Sequence, residues 1–223
     1  MALSALGSGW RGRIGRVALG LGVTLREDAT LVALERLLDL VVTWNAKVDL
    51  TAARDADELV DLFLADALIL AKHRPALADL DWVDVGSGAG APAIPLAVLV
   101  PELRMTLVEP KAKRVAFLRS ALGSLGLSEV RVVRARSEEI AASAHDVAMS
   151  RATLDPESWA REGTRIARRA VWVLLARAEV PRVEGWSADV DEAYVWPLTG
   201  ASRRAVRLVR MSSALLGVAI GDG

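Results

Sequence analysis

The chain has 223 residues, of which 52% are hydrophobic and 25% charged, a composition that excludes a disordered chain and predicts one good hydrophobic core. No apolar run reaches the roughly 18 uncharged residues of a membrane span, and the N-terminus carries glycine and arginine where a signal peptide has an unbroken apolar centre. With no cysteine, disulfides, thiolate zinc sites and a cysteine nucleophile are excluded. We therefore expect a soluble, cytoplasmic protein. Its 28 basic and 28 acidic residues balance, so attraction to nucleic acid would need a local patch.

The N-terminal third is predicted to be helical. Residues 28–48 and residues 55–73 both place apolar side chains at helical spacing. Asp28 is expected to cap the first helix, and Asp55 or Asp57 the second.

From residue 82 onward, short β-rich runs alternate with helical ones. Strands are predicted over residues 82–85, 104–109, 130–135, 146–152 and 170–176, with an antiparallel pair over 192–198 and 203–211. Helices are predicted over residues 94–100, 111–126 and 156–169, with a short acidic helix after the third strand. This alternation predicts an α/β fold with a mostly parallel sheet and an antiparallel C-terminal hairpin. We divide the chain into a helical extension (1–75) and a sheet domain (76–223).

A glycine loop, "DVGSGAGAPAIPLA", lies between the first predicted strand and its helix. Gly86, Gly88 and Gly90 follow a G-x-G-x-G spacing, and glycine lets the backbone approach a ligand closely. The spacing differs from the G-x-G-x-x-G of dinucleotide-binding folds, and no Lys-Ser/Thr pair follows as in a P-loop. The loop therefore disfavours NAD and ATP, and with them a NAD-dependent oxidoreductase.

Acidic residues stand on both sides of this loop in the sequence. Asp84 precedes it, and Glu109 closes the next strand about 20 residues on, where a ribose diol could be bound. Negative charge near the ligand favours a cationic cofactor over a pyrophosphate, and S-adenosylmethionine carries both a sulfonium and an ammonium. An ordinary strand-to-helix turn is the alternative interpretation.

Five segments together resemble one known family. They are "TWNAKVDLTAARD", "WVDVGSGAGAPAIPLA", "MTLVEPKAKRVAFLR", "RSEE" and "DVAMSRA". In this order and spacing, from about Thr43 to Ala152, they are similar to the bacterial 16S ribosomal RNA guanine-N7 methyltransferases, also called glucose-inhibited division protein B. The glycine loop alone indicates a class I methyltransferase with a Rossmann-like fold. The W-N-x-x-x-x-L-T and S-R-A segments narrow the resemblance to this family.

The resemblance implies a set of S-adenosylmethionine-binding residues. They are Asp84, Gly86, Ser87, Gly88, Gly90, Glu109, Ser137, Glu138 and Arg151. The loop would cradle the methionine part of the cofactor, Glu109 would take the ribose hydroxyls, and Ser137 and Glu138 would lie at the adenine. Arg151, directly after the fourth strand, is the candidate catalytic residue, with a role in cofactor or target-base binding. A capping or surface arginine is the alternative for Arg151, and no metal is implied.

The implied reaction is N7-methylation of a guanine in 16S rRNA, with free rRNA or the 30S subunit as partner and a monomeric enzyme. Guanine N7 has a lone pair and no proton to lose, so attack on the sulfonium methyl needs positioning and desolvation and no general base. The lack of a convincing Ser/His/Asp set agrees with that chemistry. The sequence places no set of further metal ligands near His73 or His145, and we assign these histidines no chemistry.

Several positions differ from the family pattern. Ala91 and Ala93 replace a phenylalanine and a second glycine of the loop, Phe63 stands at the histidine position of an H-x-x-D-S motif, and Arg177 replaces a lysine. Two alternative functions therefore stay open. One is methyl transfer to another RNA or to a small molecule, and the other is a non-catalytic RNA- or ribosome-binding relic.

Local basic runs and tryptophans are candidate RNA contacts. Lys113 and Arg114 could bind RNA or belong to a solvated helix face. Residues 203–210 could form a basic strand edge or, likewise, a solvated face. Asn45 and Thr51 could have a functional role, but they are equally consistent with turn formers. The tryptophans at strand and helix positions could stack on bases or belong to the core; they are Trp159, Trp172, Trp186 and Trp196.

Overall fold

The computed structural model describes residues 3–25, 27–73, 80–176 and 178–211, and seven strands of these residues form one mixed sheet. The strands are β1 (Asp81–Val85), β2 (Arg104–Val108), β3 (Val130–Val133), β4 (His145–Ser150), β5 (Ala167–Leu175), β6 (Trp186–Val195) and β7 (Ser202–Arg210). Their order across the sheet is β3-β2-β1-β4-β5-β7-β6. Neighbouring strands from β3 to β5 pair in parallel, whereas β7 pairs antiparallel with β5 and β6. The predicted α/β class and C-terminal hairpin are confirmed.

Some of the helices pack against this sheet, and others pack against those helices. Those of the described residues are α1 (Arg11–Gly20), α2 (Asp28–Asn45), α3 (Ala56–Lys72), α4 (Ala93–Leu99), α5 (Ala112–Leu125) and α6 (Pro156–Ile166). Short 3₁₀ turns lie at Gly7–Trp10 and Ser137–Glu139. Within the described ranges, no helix combines the length and the apolar character needed to cross a bilayer.

Helix starts follow the local sequence in one of the two predicted cases. The Asp55 side chain accepts a hydrogen bond from the Glu58 amide at 2.9 Å, so Asp55 is the cap of α3 as predicted. The capping role predicted for Asp28 is wrong, because Asp28 is already the first helical residue of α2. Its carboxylate binds the Arg11 guanidinium at 2.8 Å instead, and it still lies favourably at the positive end of the helix dipole.

The boundary between α6 and β5 differs from the prediction. The helix predicted over residues 156–169 ends at Ile166, and Ala167 is already paired with β4. Arg168 contributes to this outcome, because its guanidinium binds Asp146 of the neighbouring strand at 3.1 Å. Tertiary pairing therefore overrides a helical pattern that continues in the sequence.

Strand β6 begins at Trp186, well before the predicted start, and its polar half is matched to the arginines of β7. Arg204 pairs with Asp191 at 2.5 Å and Arg207 with Asp189 at 2.6 Å. Of the two interpretations of residues 203–210, the basic edge is wrong, since β7 lies inside the sheet between β5 and β6. Aspartates neutralise two of its arginines.

Two hydrophobic clusters cover the two faces of the sheet. The larger cluster contains residues of α1 to α5 together with one sheet face, and Trp10, Phe63 and Trp172 are fully buried in it. The smaller cluster packs α6 against the other face, with Trp159 inside it. The helices before the sheet thus share a core with it. The division at residue 75 falls within residues 74–79, outside the described residues, and stays a prediction.

A buried carboxylate joins α3 to the turn of the C-terminal hairpin. Asp61 accepts hydrogen bonds from the Leu198 amide at 3.1 Å, from the Thr199 amide at 2.8 Å and from the Thr199 hydroxyl at 2.9 Å. Burial raises the pKa of Asp61, while these donors favour its charged form. The contact fixes the hairpin against the N-terminal helices.

Replacing the Asp61 carboxylate should destabilise the protein by removing the contact between α3 and the turn of the hairpin. Asp61→Ala leaves buried amides of the turn without an acceptor, and we expect the free energy of unfolding in urea to fall by about 2–3 kcal/mol. Asp57→Ala removes a half-exposed ion pair with Arg13 from the same helix and should cost under about 1 kcal/mol. Equal losses in the two variants would contradict the assigned role of Asp61.

Candidate functional site

The glycine loop lies at the point where the strand order of the sheet reverses. After β1 the chain builds β2 and β3 on one side, then crosses to β4 and β5 on the other. Ligands of open α/β sheets bind at the carboxyl ends of the strands next to such a switch point. The Gly86 and Ser87 amides donate to the Val108 carbonyl at 2.8 and 3.1 Å, which holds the loop against the end of β2.

Two loop glycines are required for different reasons. Gly86 has a φ of +72°, and a Cβ there would lie 2.3 Å from the Thr153 hydroxyl oxygen, so this position is packed against the β4–α6 connection. Gly88 has a φ of +56°, but its nearest neighbours lie at 3.8 Å or more, at the Gly86 carbonyl and the Arg114 guanidinium. A side chain at Gly88 would therefore project into open space in front of the loop.

This open space is a cleft of about 480 Å³, which we call the glycine cleft. Its lining residues come from segments 50–51, 62–63, 86–91, 109–114 and 151–153. The Asn45 side chain accepts hydrogen bonds from the Leu50 and Thr51 amides at 2.9 and 3.0 Å and so holds these two lining residues in place. Asn45 is thus a turn former, and Thr51 lines the cleft. Arg114 also lines the cleft, whereas Lys113 lies on the exposed side of α5.

The carboxylate of Asp84 is buried beneath the glycine loop. Its Oδ2 atom has no hydrogen-bond partner in the described part of the chain, and the residue is 2% exposed. Burial raises the pKa of Asp84 to about 7. An unsatisfied buried acceptor of this kind is costly for the fold, which makes it a candidate to face a cationic ligand.

The second acid, Glu109, directly follows β2 and is held in place by backbone donors. Its Oε2 accepts from the Gly88 amide and its Oε1 from the Lys111 amide, each at 2.9 Å. Each carboxylate oxygen keeps a second lone pair. Glu109 can therefore accept further hydrogen bonds from hydroxyl groups of a ligand in the glycine cleft.

Arg151 lies directly after β4 and is held by two acceptors of α3. Its Nη1 donates to the Leu62 carbonyl and contacts the Asp66 Oδ2 at 3.3 Å. The Asp66 Oδ1 in turn accepts from the Tyr194 hydroxyl at 2.6 Å and the Trp196 indole at 3.3 Å. One buried carboxylate therefore connects Arg151 to the end of β6.

Arg151 separates the glycine cleft from a second, smaller cavity. This cavity of about 330 Å³, here called the aromatic pocket, shares Leu62, Arg151 and Ala152 with the glycine cleft. Trp159, Tyr194 and Trp196 line it, with Arg203. The two cavities meet at the carboxyl edge of the sheet.

The structure brings most of the predicted site residues together. Those that line the glycine cleft are Gly86, Ser87, Gly88, Glu109 and Arg151. Asp84 lies beneath the loop, and Gly90 packs against Ile94 of α4. Ser137 and Glu138 form the 3₁₀ turn after β3, outside the lining of the cleft, where the Ser137 carbonyl accepts from Arg165 at 2.9 Å.

Two departures from the family pattern meet in this cleft. Phe63 and Ala91 both line it, so an aromatic ring on α3 accompanies the small residue on the loop. Ala93 is fully buried as the first residue of α4. Arg177 lies outside the described residues.

Sequence reasoning named Trp196 and the basic run that contains Arg203 only as possible RNA contacts, and it missed Tyr194. All three line the aromatic pocket. An available signal was the aromatic pair Tyr194 and Trp196, since residues two apart in a strand share one face. The two histidines are each paired with a carboxylate, His73 with Glu192 at 2.8 Å and His145 with Asp81 at 2.7 Å.

The sheet order and the loop at its switch point define the Rossmann-like methyltransferase class of folds. The solved structure of P. horikoshii TYW2 in complex with MeSAdo matches with a TM-score of 0.55 at 14% identity, covering 75% of this chain and 66% of that chain. A SAM-dependent methyltransferase from Aquifex aeolicus matches with a TM-score of 0.50 at 17% identity, covering 68% and 92%. At such identities these matches show the fold alone.

Within this class, residues 30–189 match the GidB family, rRNA small subunit methyltransferase G, and the chain belongs to that family. The resemblance noted from the sequence is confirmed. Ribosomal RNA small subunit methyltransferase G of Halorhodospira halophila is 37% identical over 171 residues, covering 72% of this chain and 80% of that protein. Its counterpart in Neisseria meningitidis is 39% identical over 140 residues, covering 63% of this chain. The chain spans 65% of the Neisseria protein, slightly less than two thirds.

The raised pKa of Asp84 predicts a pH-dependent stability. Between the pKa of the unfolded chain, about 4, and the folded value of about 7, the native state binds the extra proton, so stability falls as pH rises and levels off above 7. Between pH 5 and pH 8 this group should remove about 3 kcal/mol from the free energy of unfolding. Asp84→Asn should lack that decline in urea titrations. Parallel pH profiles for the two proteins would contradict a buried, unsatisfied Asp84.

Proposed function

We propose that this protein is an S-adenosylmethionine-dependent methyltransferase that methylates N7 of a guanine in 16S rRNA. The observation that carries the proposal is the unsatisfied Asp84 carboxylate beneath an open glycine cradle, with a second buried acid at the end of the next strand. Membership of the rRNA small subunit methyltransferase G family supports the substrate.

The residues of the glycine cleft fit the cofactor. The free Oδ2 of Asp84 offers negative charge to a cationic group above it, and Gly88 leaves room for close backbone approach. Glu109 has acceptor capacity for the ribose hydroxyls. In our proposal Gly86, Ser87 and Gly90 shape the loop. Ser137 and Glu138, which lie outside the lining of the cleft, are assigned to the adenine from the family resemblance alone.

Methyl transfer to guanine N7 requires the side chains mainly to position the two reactants. When bound, S-adenosylmethionine supplies a methyl group on a sulfonium, so that one N–C bond forms as one S–C bond breaks. Guanine N7 has a free lone pair, and no proton has to be removed. Arg151, held by Leu62 and Asp66 where the two cavities meet, is placed to orient the base or the cofactor. Donation to O6 would fix a guanine, whereas donation to N7 would block its reaction.

The proposed partner is 16S rRNA, either free or in the 30S subunit, with the protein acting as a monomer in the cytoplasm. The relatives from Neisseria and Halorhodospira are named for action on small-subunit ribosomal RNA. A second candidate is methyl transfer to another RNA or a small molecule. The changed lining of the glycine cleft at Phe63 and Ala91 favours keeping this candidate in the test.

The test is transfer of labelled methyl from S-adenosylmethionine to 30S subunits that lack N7-methylguanine, with base-specific chain cleavage to locate the product. A single labelled N7-methylguanine in 16S rRNA is the expected result. Cofactor binding without transfer would favour the second candidate. Absence of both would leave a non-catalytic relic.

The open position of Gly88 predicts a selective loss of cofactor binding. Gly88→Ala places a methyl group in the glycine cleft and should weaken S-adenosylmethionine binding in calorimetry roughly tenfold or more. Gly126→Ala is the matched control, because Gly126 has a similar φ of +68° with nothing within 4 Å of a Cβ. Both variants should lose about 1 kcal/mol of stability. Unchanged affinity in Gly88→Ala would refute the assigned cradle.

The position of Arg151 predicts that its replacement slows methyl transfer in a protein that still folds. Arg151→Ala should slow methyl transfer to 30S subunits roughly 100-fold at saturating cofactor, because the reacting groups lose their orientation. The free energy of unfolding should fall by only about 1–3 kcal/mol. Arg168→Ala, which breaks an ion pair at the opposite edge of the sheet, is the control and should keep wild-type transfer. A wild-type rate for Arg151→Ala would return this arginine to a structural role.

A further inference from the structure

The aromatic pocket adjoins the glycine cleft where an acceptor would have to lie. The two cavities share Leu62, Arg151 and Ala152, so a group in one is next to a group in the other. Its volume of about 330 Å³ falls at the lower end of the roughly 300–1,000 Å³ of small-molecule sites. The pocket is therefore large enough for one small ring system.

The polar ends of the aromatic residues that line the pocket are already engaged in hydrogen bonds within the protein. The Tyr194 hydroxyl and the Trp196 indole N–H both donate to the buried carboxylate of Asp66. The Trp159 indole N–H donates to the Trp172 carbonyl at 2.8 Å. What Tyr194, Trp196 and Trp159 can offer a ligand is thus mainly apolar contact and stacking.

A guanidinium without a carboxylate partner lies beside these rings. Among the described residues, Arg204 and Arg207 of β7 each pair with an aspartate, whereas no ion pair engages Arg203. The Arg203 guanidinium carbon lies 3.8 Å from the centroid of the Trp196 ring. Stacked arginine and aromatic planes are surfaces on which unpaired RNA bases are recognised.

We propose that the aromatic pocket receives the target guanine after it leaves the RNA stack, with the Trp196–Arg203 pair at the pocket wall and Arg151 at the boundary with the cofactor. This inference rests on the proposed function, since it assigns the acceptor site of that reaction. Enzymes that modify a base inside a structured nucleic acid take the base out of its stack into such a pocket. The arginines next to the pocket can donate to the O6 acceptor, which guanine has and adenine lacks.

The first test blocks the pocket from its exposed rim. Ala178 lines the aromatic pocket and is exposed, so Ala178→Trp can obstruct the pocket without disturbing the core. We expect transfer to 30S subunits to fall roughly 100-fold, with S-adenosylmethionine affinity within about twofold of wild type. The matched control is Ala142→Trp, because Ala142 is also exposed but precedes the amino end of β4, far from the carboxyl edge of the sheet. This variant should transfer methyl groups at the wild-type rate. Wild-type transfer by Ala178→Trp would overturn the proposal.

The second test concerns the stacked arginine. Arg203→Gln should raise the KM for 30S subunits and leave the calorimetric affinity for S-adenosylmethionine unchanged. Arg210→Gln is its control, because Arg210 stacks on Trp186 at 5.1 Å at the other end of the same strand. Equal KM values for the two variants would remove Arg203 from the site.

A third measurement separates this inference from the proposed function. Saturation-transfer NMR with guanosine 5′-monophosphate, in the presence of S-adenosylhomocysteine, should show base protons in contact with the wild-type protein and not with Ala178→Trp. If 30S subunits are not methylated but this contact is present, the proposed rRNA substrate is wrong and the pocket assignment stands. If 30S subunits are methylated and guanosine 5′-monophosphate shows no contact, or the same contact in Ala178→Trp, the pocket assignment is wrong.

Discussion

The buried carboxylate of Asp66 is the contact on which the arrangement of both cavities depends. A carboxylate removed from water is costly unless hydrogen-bond donors replace the solvent, and here three donors do so. They come from Arg151 after β4 and from Tyr194 and Trp196 near the end of β6. Because the same side chain belongs to α3, the N-terminal helices, the sheet and the hairpin meet at one point. The wall between the glycine cleft and the aromatic pocket is therefore a property of all three parts.

Asp84 has the opposite relation to its surroundings. Asp66 is satisfied on both oxygens, whereas the Oδ2 of Asp84 has no partner in the described residues, and burial raises the pKa of Asp84 to about 7. The hydrogen bonds of Asp66 stabilise the wall between the two cavities. The Oδ2 of Asp84, in contrast, has no hydrogen-bond partner in the described residues and is available to a ligand. A cationic ligand above the glycine loop would stabilise the charged form of Asp84. Stability and ligand binding are therefore coupled at this residue.

Two departures from the family pattern, at Phe63 and Ala91, can be interpreted together because both residues line the glycine cleft. The loop carries Ala91 where the family has an aromatic residue, but the buried ring of Phe63 lines the same cleft from α3. Aromatic volume is therefore present at the cleft from a different element. Cores accept such exchanges when total volume and patterning are kept. The change at residue 63 also places a non-polar ring one helical turn from Asp66, beside the most buried polar contact of the site.

The sequence by itself determined the strands, the glycine loop and the acids at the strand ends. Because parallel strands end at one edge of a sheet, Gly88, Glu109 and Arg151 could be assigned to one site before their distances were known. Only the tertiary structure decided that β7 lies inside the sheet, that β5 begins at Ala167, and that the hairpin supplies the aromatic pocket. The physical reason is that these contacts are distant in the sequence. Tyr194 and Asp66 are 128 residues apart, so their hydrogen bond does not affect the local pattern of apolar and polar residues from which strands and helices are predicted.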